Sequence, residues 1–125
     1  MISSDSTSRV DGLAWSRSGR YLAVAVSEIW TEWTSLGPFG SEEILSRPHI
    51  IIFDEKGKIV FKRKFSSEYE SASDVDWLDK DRIVLAAYKT VFLLDLSGKI
   101  IWEKELQRGI IRVACSPNSK HIAIG

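Results

Sequence analysis

Ile50–Phe65, IIIFDEKGKIVFKRKF, and Val91–Leu106, VFLLDLSGKIIWEKEL, are two copies of one pattern displaced by 41 residues. Asp54 falls on Asp95, Gly57 on Gly98 and Lys58 on Lys99. In each copy a short apolar run ends at the aspartate, a turn containing Gly-Lys follows, and a second run begins. Glycine accepts positive φ without steric cost and aspartate bonds the backbone just ahead of it, so each copy reads as an antiparallel hairpin. Working outward, a second pattern occurs three times: GLAWSRSGRYLAVA from Gly12, VDWLDKDRIVLAA from Val75 and IRVACSPNSKHIAIG from Ile111. Trp15, Trp77 and Cys115 share one position of it, and Arg20, Arg82 and Lys120 another.

The interval from Arg20 to Arg82 is 62 residues, whereas Arg82 to Lys120 is 38. Treating Ser27–Pro48 as an insertion of 22 residues brings the first interval to 40. One unit then holds four strands: Gly12–Trp15, Tyr21–Val26, His49–Asp54 and Ile59–Phe65. The second repeats them near Val75–Trp77, Arg82–Tyr88, Thr90–Asp95 and Ile100–Leu106, and the third supplies two. Repeats of about forty residues built from short strands predict an all-β fold made of β-propeller blades, each a four-stranded antiparallel sheet. About two and a half blades are present. The expected division is a flexible tail over 1–10, a first blade over 11–65 carrying the insertion 27–48, a second over 66–106, and the first two strands of a third over 107–125.

Read continuously, TVFLLDLSGKIIWEKELQRGIIRVACSPNSKHIAIG resembles the WD-repeat pattern, in which an apolar strand ending in Trp-Asp precedes a Gly-Lys turn, a fourth strand and a Ser-Pro-Asp-Gly-Lys hairpin. Leu94-Asp95 and Phe53-Asp54 stand where that family has Trp-Asp, and its Gly-His pair before the first strand is absent. The chain is therefore WD-like, and propellers that precede peptidase domains use similar hairpins. Known propellers close with roughly four to eight blades, so the remaining blades are expected from a longer chain or from other copies. The resemblance also implies that turns between the second and third strands, and between blades, share one end of the disc. The other hairpin turns share the opposite end.

Net charge is zero, with 17 acidic and 17 basic residues, so no overall field selects nucleic acid or an anionic membrane. One cysteine excludes an internal disulfide, and no apolar run approaches the ~18 residues of a membrane span. A cytoplasmic protein with no membrane association is expected. Asn118 and Gln107 are the only side-chain amides, a bias shared with proteins of hot environments. Cys115, Ser116 and His121 permit a sketch of a nucleophilic triad. The repeat argues against it, because Cys115 shares its position with two tryptophans and reads as a small packed side chain. Asp54 and Asp95 read as repeated turn formers rather than paired acids. No phosphate loop and no metal-ligand spacing occurs, so neither cofactor nor metal is expected.

The insertion is the one feature that the repeat does not require, and added loops on a rigid scaffold are where binding residues gather. It carries Trp30, Trp33 and Phe39 beside Glu42 and Glu43, with Arg47 its only base. Tyr69, among Glu68, Glu70, Asp74 and Asp76, lies in the connection that would share its end of the disc. These six residues (Trp30, Trp33, Phe39, Glu42, Glu43 and Tyr69) form the expected docking site for a protein partner, and the expected function is a non-catalytic scaffold. The competing use of the insertion is to fold over its own blade, with a short helix from Ser41 to Ser46. Two alternatives to the scaffold remain: a propeller gating a hydrolase or peptidase domain, and an RNA-associated propeller using Arg17, Lys56, Lys58, Lys99 and Lys120 on the opposite end.

Overall fold

A computed structural model describes residues 6–34 and 40–125 of the chain. Those residues are all-β apart from one 3-10 turn, Ser67–Tyr69. In order the strands are β1 (Thr7–Trp15), β2 (Tyr21–Thr34), β3 (Ser41–Asp54), β4 (Ile59–Lys64), β5 (Ala72–Trp77), β6 (Arg82–Ala87), β7 (Thr90–Asp95), β8 (Ile100–Glu105), β9 (Val113–Cys115) and β10 (Ile122–Ile124). They form two four-stranded antiparallel meanders, β1–β4 and β5–β8, and the pair β9–β10. The three sheets do not close on one another.

The repeat is written into the hydrogen bonding. Asp54 Oδ1 accepts from the backbone N–H groups of Lys56 and Lys58, both at 2.9 Å, and Asp95 Oδ1 accepts from those of Ser97 (2.9 Å) and Lys99 (3.0 Å). Gly57 and Gly98 follow at φ +82° and +86°. The first strand of each four-stranded sheet bulges at the same place, between Val10 and Gly12 and between Ala72 and Asp74. The third and fourth strands do so between Ile52 and Phe53 and between Leu93 and Leu94. One alignment shifts. Trp15 faces Leu22 across its pair, Trp77 faces Ile83 and Cys115 faces Ile122, so Tyr21, Arg82 and His121 are equivalent rather than Arg20, Arg82 and Lys120. The cause is turn length: Ser16 N–H bonds the Tyr21 carbonyl, while Leu78 N–H bonds that of Arg82, one residue sooner.

The sheets stack through two cores. Ala23, Ala25, Ile50 and Ile52 of the first meet Val75, Trp77, Ile83, Leu85, Phe92 and Leu94 of the second. On the other face of the second sheet, Val84, Ala86, Val91 and Leu93 pack with Leu78, Ile110 and Val113 beneath β9. Burial on both faces explains why Ile83–Ala87 and Val91–Leu94 are unbroken apolar runs. Trp77 is 2% exposed, stacks on Tyr21 with ring centroids 6.0 Å apart, and donates its indole N–H to the Ala14 carbonyl at 2.9 Å. Gly12 is small because a Cβ there would come 3.0 Å from Asp74 Cα and 3.1 Å from Val75 N. Asp74 and Asp76 then accept the backbone N–H groups of Val113 (3.0 Å) and Cys115 (2.7 Å), joining β9 to the second sheet.

The structure changes two sequence expectations. The tail assigned to 1–10 contains strand from Thr7, which pairs as far as Ile29. The insertion is neither a loop nor a helix over Ser41–Ser46. Instead β2 and β3 continue past the rest of the sheet as one hairpin, paired from Ser27–Pro48 out to Thr34–Ser41. Ile29, Trp30, Thr31 and Trp33 are β-branched and aromatic residues that suit an extended, half-covered ribbon.

Candidate docking surface

Alternation along the hairpin divides the predicted residues between its two faces. Trp30 lies opposite Leu45 and Glu32 opposite Glu43 on one face, whereas Trp33 lies opposite Glu42 and Thr31 opposite Ile44 on the other. Trp30 is held in place. The Arg47 guanidinium carbon sits 4.6 Å from its ring centroid, and its indole N–H reaches Glu32 Oε1 at 3.2 Å. Trp33 rests against Gly40, where a Cβ would overlap the indole, and is still 50% exposed. Ile44 beside it is 77% exposed. Among the described residues neither Glu42 nor Glu43 is paired with a base. Glu32 and Glu43 stand directly opposite each other, an arrangement of like charge that costs stability by itself. Phe39 falls outside the described residues.

Tyr69 belongs to the same end of the stack but to a different surface. The Phe65 N–H bonds the Pro48 carbonyl (2.9 Å) where the hairpin leaves the sheet, and the 3-10 turn follows, capped by Ser66. The Tyr69 ring stands edge-on to Phe65 and Phe92, with centroids 6.3 and 5.0 Å away. Its hydroxyl lies 3.4 Å from Glu103 Oε2. Glu68, Tyr69, Thr90, Glu103 and Glu105 line an open cleft of about 330 Å³. Burial and the neighbouring Glu103 and Glu68 carboxylates push the Tyr69 phenol upward, so it is a neutral hydroxyl in an acidic cleft. Sequence reasoning placed Tyr69 at this end but missed Glu103 and Glu105, which reach the cleft from the far end of β8. The hairpin register was the available signal, since β8 returns to the end where β7 starts.

A charged cluster lies at the hairpin root. His49 is 4% exposed, with Nε2 3.4 Å from Glu28 Oε2, and Arg47 Nε is 3.6 Å from Glu28 Oε1. Neither nitrogen makes a hydrogen bond; Arg47 and Glu28 attract as opposite charges, whereas the His49 contact becomes an ion pair only when the imidazole is protonated. Burial holds the imidazole below its ordinary value, Glu28 opposes that shift, and Lys64, Lys62 and Arg47 reinforce it.

The chain matches no protein-family model and no curated protein.

The remaining candidates for chemistry do not assemble. Burial and the Asp76 carboxylate push the Cys115 thiol up to about 12, leaving almost no thiolate near neutrality. Its neighbour Ser116 uses its hydroxyl on Asn118 (2.5 Å) and as acceptor for the His121 N–H (3.0 Å), which is turn formation. Asp54 and Asp95 are both spent on their turns. Among the described residues no three His, Cys, Asp or Glu side chains cluster closely enough to hold a metal ion. No helix among them is long and apolar enough to cross a membrane.

Proposed function

We propose that this chain is a segment of a WD-like β-propeller that acts as a non-catalytic scaffold in the cytoplasm, docking a basic segment of a protein partner at the end that carries the hairpin. Two features support radial stacking. The Arg17 guanidinium, in the β1–β2 turn, bonds the carbonyls of Leu78 (3.1 Å), Ser116 (2.6 Å) and Pro117 (2.5 Å), so the corresponding turns of all three sheets converge although the second sheet lies between the others. The bulges also recur at equivalent positions in the two full sheets.

The docking reading rests on one observation above all: Trp33 and Ile44 stand exposed as diagonal neighbours on one face of a paired ribbon, with Glu42 on that face and Glu43 on the opposite one, neither glutamate having a partner base among the described residues. Aromatic anchors on a rigid element give contact area with little ordering cost, and the unpaired carboxylates select a cationic partner. The acidic cleft around Tyr69 offers a second place for a lysine or arginine from the same segment. A titration with Lys/Arg-rich peptides carrying an aliphatic residue, followed by tryptophan fluorescence, tests the reading. Binding should weaken at least about tenfold in a Trp33→Ala/Ile44→Ser variant, since truncating a hot-spot anchor typically costs more than ~1 kcal/mol, and should weaken with salt. Peptides that bind the variant as well as the parent would refute it.

A further inference from the structure

The first sheet carries, on the face turned away from the second, a copy of the surface by which the second sheet is buried. The register makes the correspondence residue by residue: Leu13, Trp15 and Leu22 occupy the places of Val75, Trp77 and Ile83, and Val24, Ile51 and Phe53 those of Leu85, Phe92 and Leu94. Each pair is apolar at both positions. Trp77 is 2% exposed, but Trp15 is 63% and Leu13 62% exposed, with Leu22, Ile51 and Phe53 half-buried beside them and Val24 buried. An apolar face of this extent on a sheet marks an interaction surface.

The opposite end of the chain supplies a matching seat. Where Trp77 docks, the surface beneath it consists of Ala14, whose carbonyl takes the indole N–H, Ala23, and the ring of Tyr21. Because Cys115 faces Ile122 as Trp15 faces Leu22, the places of Ala14, Ala23 and Tyr21 are filled in β9–β10 by Ala114, Ala123 and His121. Two alanines therefore recur as alanines, and an aromatic ring stands at the stacking position. All three are exposed. The place of Gly12 is taken by Arg112, a large side chain, but the strand it would meet brings its own Gly12 to the contact, so bulk and gap are exchanged rather than doubled.

We infer that a second copy of this chain docks head to tail, the β1–β2 face of one copy resting on β9–β10 of the other, with the Trp15 indole over Ala114, donating to its carbonyl and stacking on His121. The interface continues the stacking already present between the first two sheets, which identifies the occupant as another sheet of the same repeat. Being heterologous, it joins unlike surfaces and leaves one head and one tail free in every dimer. It uses none of Trp33, Ile44, Glu42 or Glu43, so its failure and that of the peptide-docking reading are distinguishable.

Sedimentation equilibrium of the full chain over a concentration series tests it. The parent chain should associate, and Trp15→Arg or Ala114→Arg should each weaken association roughly 30-fold or more, as expected for losing a central tryptophan anchor. Near-ultraviolet circular dichroism of the buried Trp77 verifies that both variants keep the sheet stack. The decisive sample is the mixture. Trp15→Arg lacks only a working head and Ala114→Arg only a working tail, so together they should restore a dimer, and only a dimer. A parent chain that stays monomeric up to millimolar concentration, variants that associate as the parent does, or a mixture of folded variants that stays monomeric would each overturn the inference.

Discussion

Replacing Trp77 by Phe removes one identifiable bond and a known amount of packing. The indole N–H to Ala14 carbonyl bond, at 2.9 Å, spans the two full sheets and is shielded from water by a side chain only 2% exposed. A net hydrogen bond of this kind contributes about 1 kcal/mol. Trimming indole to phenyl leaves on the order of 40 Å³ unfilled, which at ~24 cal/mol per Å³ adds about 1 kcal/mol. The sum, about 2 kcal/mol, corresponds to a fall in Tm of roughly 8 °C for a domain of this size. Differential scanning calorimetry at low protein concentration measures it. Trp15→Phe provides the internal control: the same substitution at the equivalent position, where the side chain is 63% exposed, should move Tm by less than about 2 °C. Equal effects of the two substitutions, or a Trp77→Phe shift under about 2 °C, would refute the claim that Trp77 fastens the sheets together.

Other outcomes follow from single contacts. Gly12→Ala should destabilise by about 1–3 kcal/mol, because its Cβ would press on the Asp74 backbone, and urea unfolding would register it as a lower midpoint at unchanged slope. Asp74→Ala with Asp76→Ala should free β9, seen as faster hydrogen exchange at Val113 and Cys115 while the β6 amides stay protected. The Cys115 thiol, held at about 12, should resist alkylation at neutral pH and react at the rate of a free thiol in denaturant. His49 gives a signed pH effect. Its folded value is depressed, so the unfolded chain binds the extra proton first, and stability present above the ordinary histidine value is lost as pH falls below it. Melting curves from pH 8 down through about 6.5 should steepen downward in the parent and flatten in His49→Gln.

The hairpin cores were legible because each carries its own punctuation: Asp54-to-Gly57 and Asp95-to-Gly98 specify turns locally, and Thr90–Asp95 was placed to the residue. The alignment of the second strands was not fully legible, since the equivalence of Tyr21 with Arg82 depends on a turn one residue shorter, and charge similarity suggested Arg20 instead. The insertion was misjudged because it was defined by interval alone, 62 residues against 38, which locates added residues without giving their shape. Glu42 and Glu43 are exposed on a ribbon that runs out past the sheet, so polarity there does not argue against β structure. Tyr69 was found through its acidic surroundings, but its partners Glu103 and Glu105 needed knowledge of which end β8 finishes on.

Arg17 fastens three sheets chiefly through main-chain oxygens, those of Leu78, Ser116 and Pro117, with one longer contact to Ser119 Oγ at 3.5 Å. The three carbonyls are set by the path of the turns, while the Leu78 side chain is held separately in the core and the Ser116 hydroxyl in its own turn. The angle between neighbouring sheets is thereby tied to the shape of the turns, so a change in turn length at this end would tilt the surface that Trp33 and Ile44 present at the far end.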